Sequence, residues 1–248
     1  MNETISTIPL FNLALSSIPA LITVYILFKW SLSASNAAYA IARMLVQLLL
    51  IGYFLTYIFE SDSAVIVLAI LTIMVFFSSW IALGTVKENR IQLYKYALLA
   101  IAVGGGLTLL LVTHGVLEIS PWYFAPTMVP IAGMIFANSM NSVSLAAERL
   151  SAELENGIAY DEAKNIALQS SMIPMINSLF AVGLVSLPGM MTGQILSGVS
   201  PLIAARYQIV VMFMIFGSAG ISTASFLLMV KPFYVRKAAQ TCEDKSDN

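Results

Sequence analysis

Seven apolar runs dominate this chain, each close to the roughly 20 residues an α-helix needs to cross a bilayer. They fall near residues 9–28, 39–59, 64–84, 94–114, 122–147, 173–198 and 204–230, with short polar breaks between them. Of 248 residues, 59% are hydrophobic and only 10% charged, against roughly 25% charged in soluble domains. A water-soluble fold of this size cannot bury so much apolar side chain. The runs therefore predict an all-α, polytopic transmembrane bundle, because a segment in lipid must satisfy its own backbone groups. Seven spans would use about 140 residues, which leaves little for an extramembrane domain. A single transmembrane domain over 1–248 is expected, with one polar connector near 148–172 and a polar tail at 232–248.

Charge sets the orientation. Lys29, Arg43, Lys87, Arg90, Lys95, Arg149, Lys164, Lys231, Arg236, Lys237 and Lys245 fall on one side of a seven-span arrangement, and of twelve basic residues only Arg206 falls on the other. The opposite side carries Glu3, Glu60, Asp62 and Glu118. This pattern predicts an N-terminus outside and a C-terminus in the cytoplasm. Arg43 and Arg206 are placed near span ends, where long side chains reach the interface. The start, Met1-Asn2-Glu3-Thr4, lacks a basic signal-peptide region, so the first run is expected to stay as a helix. A net charge of −1 argues against nucleic acid as a partner. One cysteine, Cys242, allows no intrachain disulfide, and one histidine, His114, allows no bis-His site.

No Asp or Glu lies in the middle of a span. Proton- and sodium-driven transporters usually rely on such a carboxylate as relay or ligand, so energy for any transport is expected from elsewhere. There is no GxxxxGK[ST] loop for a nucleotide, and no HExxH, CxxC or GxSxG. No catalytic residue and no cofactor are implied.

Three regions hold candidate chemistry. In the sixth run, Pro188 and Gly189 are expected to break the helix, with the thioethers of Met190 and Met191 beside the break and Gln194 a turn further on. The residues fit either a packed proline kink or part of a substrate path. In the fifth run, Asn138, Asn141 and Ser142 share a face with Met134. That face fits either interhelical hydrogen bonding or a polar pathway lining. Pro126 and Pro130 are expected to bend its outer end. Between these runs, Glu148–Glu155 reads as helix and Asn156-Gly157 as its stop. Asp161 and Glu162 then open a second helix at its positive dipole end, ending toward Pro174. This helix–glycine turn–helix is either a plain connector or a docking element. Small-residue pairs at Ala100/Gly104/Thr108, Gly189/Gly193 and Gly220/Ala224 predict tight helix packing.

Four segments carry a resemblance: RMLVQLLLIGY at 43–53, VPIAGMIFANSM at 129–140, GLVSLPGMMTG at 183–193 and YQIVVMFM at 207–214. They resemble the FetB-type ABC transporter permeases of the UPF0014 family, which includes bacterial iron exporters and plant aluminium-tolerance permeases. The resemblance implies a permease in the cell membrane, working as a homodimer with a separate cytoplasmic FetA-like ATPase and exporting iron, a related metal or a metal chelate. It implies a substrate path through Met134, Asn138, Asn141, Pro188, Gly189, Met190, Met191 and Gln194. It also implies ATPase coupling through Glu153, Gly157, Asp161 and Glu162. A membrane assembly or regulatory protein, or an ATPase-independent channel, are the alternatives the residues leave open.

The charge pattern yields a direct test. In a Cys242→Ser background, Ala159→Cys is expected to resist a membrane-impermeant maleimide in intact cells and to react after permeabilisation. Labelling in intact cells would reverse the predicted orientation.

Overall fold

The computed structural model describes residues 8–60, 62–86 and 89–236. Glu3, Lys87, Lys237, Cys242 and Lys245 lie outside the described residues, as does most of the expected polar tail. Helices make up the fold, and no β-strand occurs among the described residues. Six helices are long and apolar enough to cross a membrane: Leu10–Lys29, Ala34–Glu60, Ala64–Ala82, Arg90–Val116, Ala125–Glu155 and Pro201–Arg236. The chain divides after Glu60 into two compact units.

The first unit holds α1 (Leu10–Leu15), α2 (Ile18–Lys29) and α3 (Ala34–Glu60). The first apolar run is therefore interrupted. Ser16 and Ser17 donate their hydroxyls to the carbonyls of Leu13 and Ala14, both at 2.7 Å, which competes with the helical ladder. Pro19 then sits at the start of α2, where its missing N–H is no loss. α2 packs on α3. No residue of these helices is buried, and a helix apolar on every side suits a lipid surrounding. α3 begins at Ala34, earlier than the expected 39, so Arg43 sits well inside the helix and not at its end.

The second unit holds α4 (Ala64–Ala82), α5 (Arg90–Leu110), α6 (Ala125–Glu155), α7 (Tyr160–Ala181), α8 (Gly189–Leu196) and α9 (Pro201–Met229). α5 ends in a π-helical turn, Leu111–Val116, that carries the exposed His114. α9 is the hub, packing on α5, α6, α7 and α8. The core includes Leu93 and Ile101 of α5, Ile135 and Leu150 of α6, and Phe226 and Leu227 of α9. After a turn at Val230 the chain is helical again to Arg236.

The expectation of one continuous span over 173–198 needs correction. α7 runs from Tyr160 straight through Pro174 to Ala181, the chain leaves the helix over 182–188, and α8 follows. Pro174 does not end the connector helix, and Pro130 likewise sits inside α6. Each proline removes one N–H that a neighbouring helix or a local adjustment must compensate. With 22 residues, α7 is about 33 Å long. It stands apart from the six apolar helices because Asp161, Glu162 and Lys164 occupy its start.

Small residues set how closely the hub is approached. A Cβ on Gly104 would lie 2.4 Å from Ser222 Oγ and 2.8 Å from Ser222 Cα, and one on Gly105 would lie 2.8 Å from the Phe136 ring. Ser222 donates to Ser139 Oγ at 3.1 Å in the same buried layer, and Thr108 bonds back to the Gly104 carbonyl at 2.7 Å. The Ala100/Gly104/Thr108 ladder thus packs as expected. The Gly189/Gly193 pair does not, since nothing lies within 4 Å of either position.

Gly104→Ala is expected to destabilise the protein by about 1–3 kcal/mol, the usual penalty of overpacking. Gly106→Ala, with nothing within 4 Å, is expected to be neutral or to stabilise by up to about 1 kcal/mol. Thermal unfolding of the two purified variants checks the contrast.

Candidate functional site

At one end of the second unit, the break after α7 shapes a cavity. Val182 turns out of the helix (ψ 129°), and Gly183 adopts φ +82°, a conformation costly to any residue with a Cβ. The backbone then closes on itself. Val185 and Ser186 donate to the Ala181 carbonyl at 2.8 and 3.1 Å, and Gly183 donates to the Ser186 carbonyl at 2.9 Å. Break and restart are separate events: the helix ends at Ala181, whereas Pro188, the expected breakpoint, is the N-cap that restarts α8. The Pro188 carbonyl accepts from the Thr192 hydroxyl at 3.1 Å. The Ala181 and Ser186 carbonyls are thus engaged within the break itself.

α8, with the starts of α6 and α9, encloses a cavity of about 760 Å³. Met134, Met190 and Gln194 line it, together with Thr127, Ile131, Ile203 and Tyr207. Three of the sequence candidates are therefore brought together, and the Oε1 of Gln194 is buried there with no hydrogen-bond partner. Pro188, Gly189 and Met191 do not line the cavity. Asn138 spends its amide on its own helix, donating to the Met134 carbonyl at 2.8 Å, and Asn141 is exposed. Ser142 of that face is buried, as are Ser139 and Glu153 elsewhere on α6. Tyr207 and Thr127 were not candidates: Thr127 lies two turns before Met134 on the same face of α6, a spacing present in the sequence, whereas Tyr207 of α9 joins them only once α6, α8 and α9 are assembled.

At the other end, the α6–α7 turn follows the expected design. α6 stops at Glu155, Gly157 takes φ +82°, and Asp161 and Glu162 occupy the first turn of α7. Glu153 is buried, with only 8% of its surface exposed, and pairs with Arg149 at 2.5 Å. Gly157, Asp161 and Glu162 are exposed. The turn is latched to the end of α9. The Tyr160 hydroxyl donates to the Leu227 carbonyl. Ser151 and Tyr234 share a hydroxyl–hydroxyl bond of 2.9 Å. Lys231 Nζ contacts both Asp161 carboxylate oxygens at 3.0 Å. That Lys231 hydrogen bond, then its charge, then Lys164 at 3.4 Å, hold the Asp161 carboxyl below the usual carboxylate range. No group of three His, Cys, Asp or Glu side chains that could hold a metal occurs among the described residues.

A helical membrane bundle with a side cavity and a latched polar turn is thus in hand, and comparison with known proteins gives its class. The chain belongs to the uncharacterised protein family UPF0014, whose model matches residues 10–160 and 157–234, a family of membrane permeases. It is 32% identical over 241 residues to the Escherichia coli (strain K12) "Probable iron export permease protein FetB", covering 90% of this chain and 91% of that protein. It is 31% identical over 245 residues to "Protein ALUMINUM SENSITIVE 3" of Arabidopsis thaliana, covering 92% and 88%. Over 218 residues it is 31% identical to "UPF0014 membrane protein STAR2" of Oryza sativa subsp. japonica, covering 82% and 75%. Of these three, one is named a permease and another a membrane protein. No solved structure matches the chain.

A lowered carboxyl pKa adds stability above the ordinary carboxylate range and loses it as acid protonates the group. Asp161→Asn is therefore expected to lower the unfolding temperature slightly at neutral pH, with the difference from wild type vanishing in strong acid. An equal difference at both pH values would remove the ion pair as its cause.

Proposed function

We propose that this chain is the permease subunit of an ABC-type exporter, working as a homodimer with two copies of a separate cytoplasmic ATPase. The observation that carries the reading is the α6–α7 turn: exposed at Gly157, Asp161 and Glu162, yet tied through Tyr160, Ser151 and Asp161 to the end of α9. A force applied at this turn reaches α6, α7 and α9 together. The sequence holds no phosphate-binding loop and no mid-span carboxylate, so an external source of work fits the composition. In this reading the protein sits in the cell membrane, N-terminus out and C-terminus in the cytoplasm. The break between α7 and α8 completes a seventh crossing. Closure of the ATPase pair on ATP pushes on the turns, and hydrolysis releases them.

Export is the direction named for FetB, and iron, a related metal or a metal chelate is the cargo carried over to this chain. Glu153 fixes the shape of the turn through Arg149, while Gly157, Asp161 and Glu162 face the ATPase. With the adjacent-gene ATPase co-purified, Gly157→Val and Glu162→Lys are expected to lower permease-stimulated ATP hydrolysis at least about fivefold, the scale of one interface residue worth about 1 kcal/mol. Unchanged stimulation in both variants would remove the turn from coupling, and flux in vesicles without any ATPase would favour a channel.

A further inference from the structure

The cavity beside α8 has a lining that selects a kind of cargo, and this inference rests on the transport reading above. Among its residues there is no Asp, Glu, His, Cys, Lys or Arg. The walls are aliphatic and thioether groups with two hydroxyls, Thr127 and Tyr207, and the single amide of Gln194. An iron ion stripped of water needs several oxygen or nitrogen donors, and anionic ones for the ferric state. Here the donor set is two thioethers, one amide oxygen and the neutral hydroxyls of Thr127 and Tyr207, of which only the tyrosine could become anionic. The closed turn before α8 keeps its Ala181 and Ser186 carbonyls for its own N–H groups. A bare cation would have to give up hydration for almost nothing.

The same cavity suits an organic molecule. Its volume of about 760 Å³ lies within the roughly 300–1,000 Å³ of small-molecule pockets, which are mostly apolar with a few oriented polar groups. Gln194 lines the cavity as such a group, and its Oε1, covered and without a partner, can meet a donor once the amide turns toward the opening. An unmatched buried acceptor is costly until a donor arrives. We propose that this cavity binds an uncharged organic molecule with an apolar body and an N–H or O–H that bonds to Gln194 Oε1. Any metal carried here travels wrapped inside such a shell.

The test uses the full chain in lipid nanodiscs without ATPase, so its failure would strike the cargo chemistry and leave ATP coupling untouched. Three probes are compared by equilibrium binding, with empty nanodiscs subtracted: benzohydroxamic acid, its neutral tris complex with iron(III), which keeps its N–H donors, and an iron(II) salt. Benzohydroxamic acid is expected to bind saturably. Gln194→Leu should weaken it about three- to tenfold, the range for one neutral hydrogen bond. Thr127→Trp, which places an indole in the cavity beside Met134, should weaken it. The Met134→Leu/Met190→Leu pair, which conserves volume, should change it less than about twofold. Competition by the iron complex would support metal transport inside the shell, and its failure to compete would support a metal-free cargo of the same class. Thermal unfolding establishes that each variant is folded. Absence of saturable binding by the free acid would overturn the proposal, as would iron(II) binding that the double methionine variant abolishes.

Discussion

Every backbone polar group of this protein must find its partner inside the chain, because hydrocarbon offers none. Much of the structure is a response to that demand. Hydroxyls that would be liabilities in lipid are turned back onto carbonyls three or four residues earlier: Ser79 onto Val75, Thr108 onto Gly104, Thr113 onto Leu109. The helices packed around the core can therefore carry buried serines and threonines with these oxygens matched. The one long interruption of helix in the second unit's apolar region, over 182–188, obeys the same demand by closing a small hydrogen-bonded turn. Where satisfaction fails, it fails at Gln194 and at the hub residues Gln208 and Thr223, and only Gln194 opens onto the cavity beside α8.

The second unit thus has chemically distinct ends. One is apolar and contains an unmatched amide. The other is polar, with the α6–α7 turn bound to the chain beyond α9 by two hydroxyl contacts and a two-oxygen lysine contact. Individual surface ion pairs are weak. Here the Asp161–Lys231 pair stands beside the Tyr160–Leu227 and Ser151–Tyr234 bonds, so the turn is located by geometry from three directions and does not rely on charge alone.

Much of this was legible in the residues. Apolar runs located the six long helices because length and hydropathy are local properties. The Asn156-Gly157 stop and the acidic opening at Asp161-Glu162 located the turn because capping chemistry is local too. What sequence reasoning missed depended on distance along the chain. Periodicity grouped Asn138 and Asn141 with Met134, but whether a face meets a neighbour is decided by other helices: Asn138 bonds within α6 and Asn141 stays exposed, while Ser139 is matched by Ser222, 83 residues away. The break was tied to Pro188, the residue with the strongest local signature, yet the helix ends at Ala181 and Gly183 supplies the left-handed turn. Tyr160 and Tyr234 carried no local signal and Lys231 only a charge; their bonds exist because the start of α7 and the end of α6 stand beside the end of α9 and the chain after it.

The hub helix also has the form of a lever. α5 ends in a π turn and α6 and α7 each contain a proline, but α9 has its only proline, Pro201, at its first position, and runs 29 residues, about 43 Å, without another. It meets α5 tightly at Ser222, where Gly104 leaves no room for a Cβ. Measured from that fulcrum, Leu227 is about 8 Å away and Ile203 about 28 Å in the opposite direction. A sideways displacement at the short arm would therefore swing the long arm by more than three times as much, so a small shift beside the α6–α7 turn is magnified at the cavity end of the same helix.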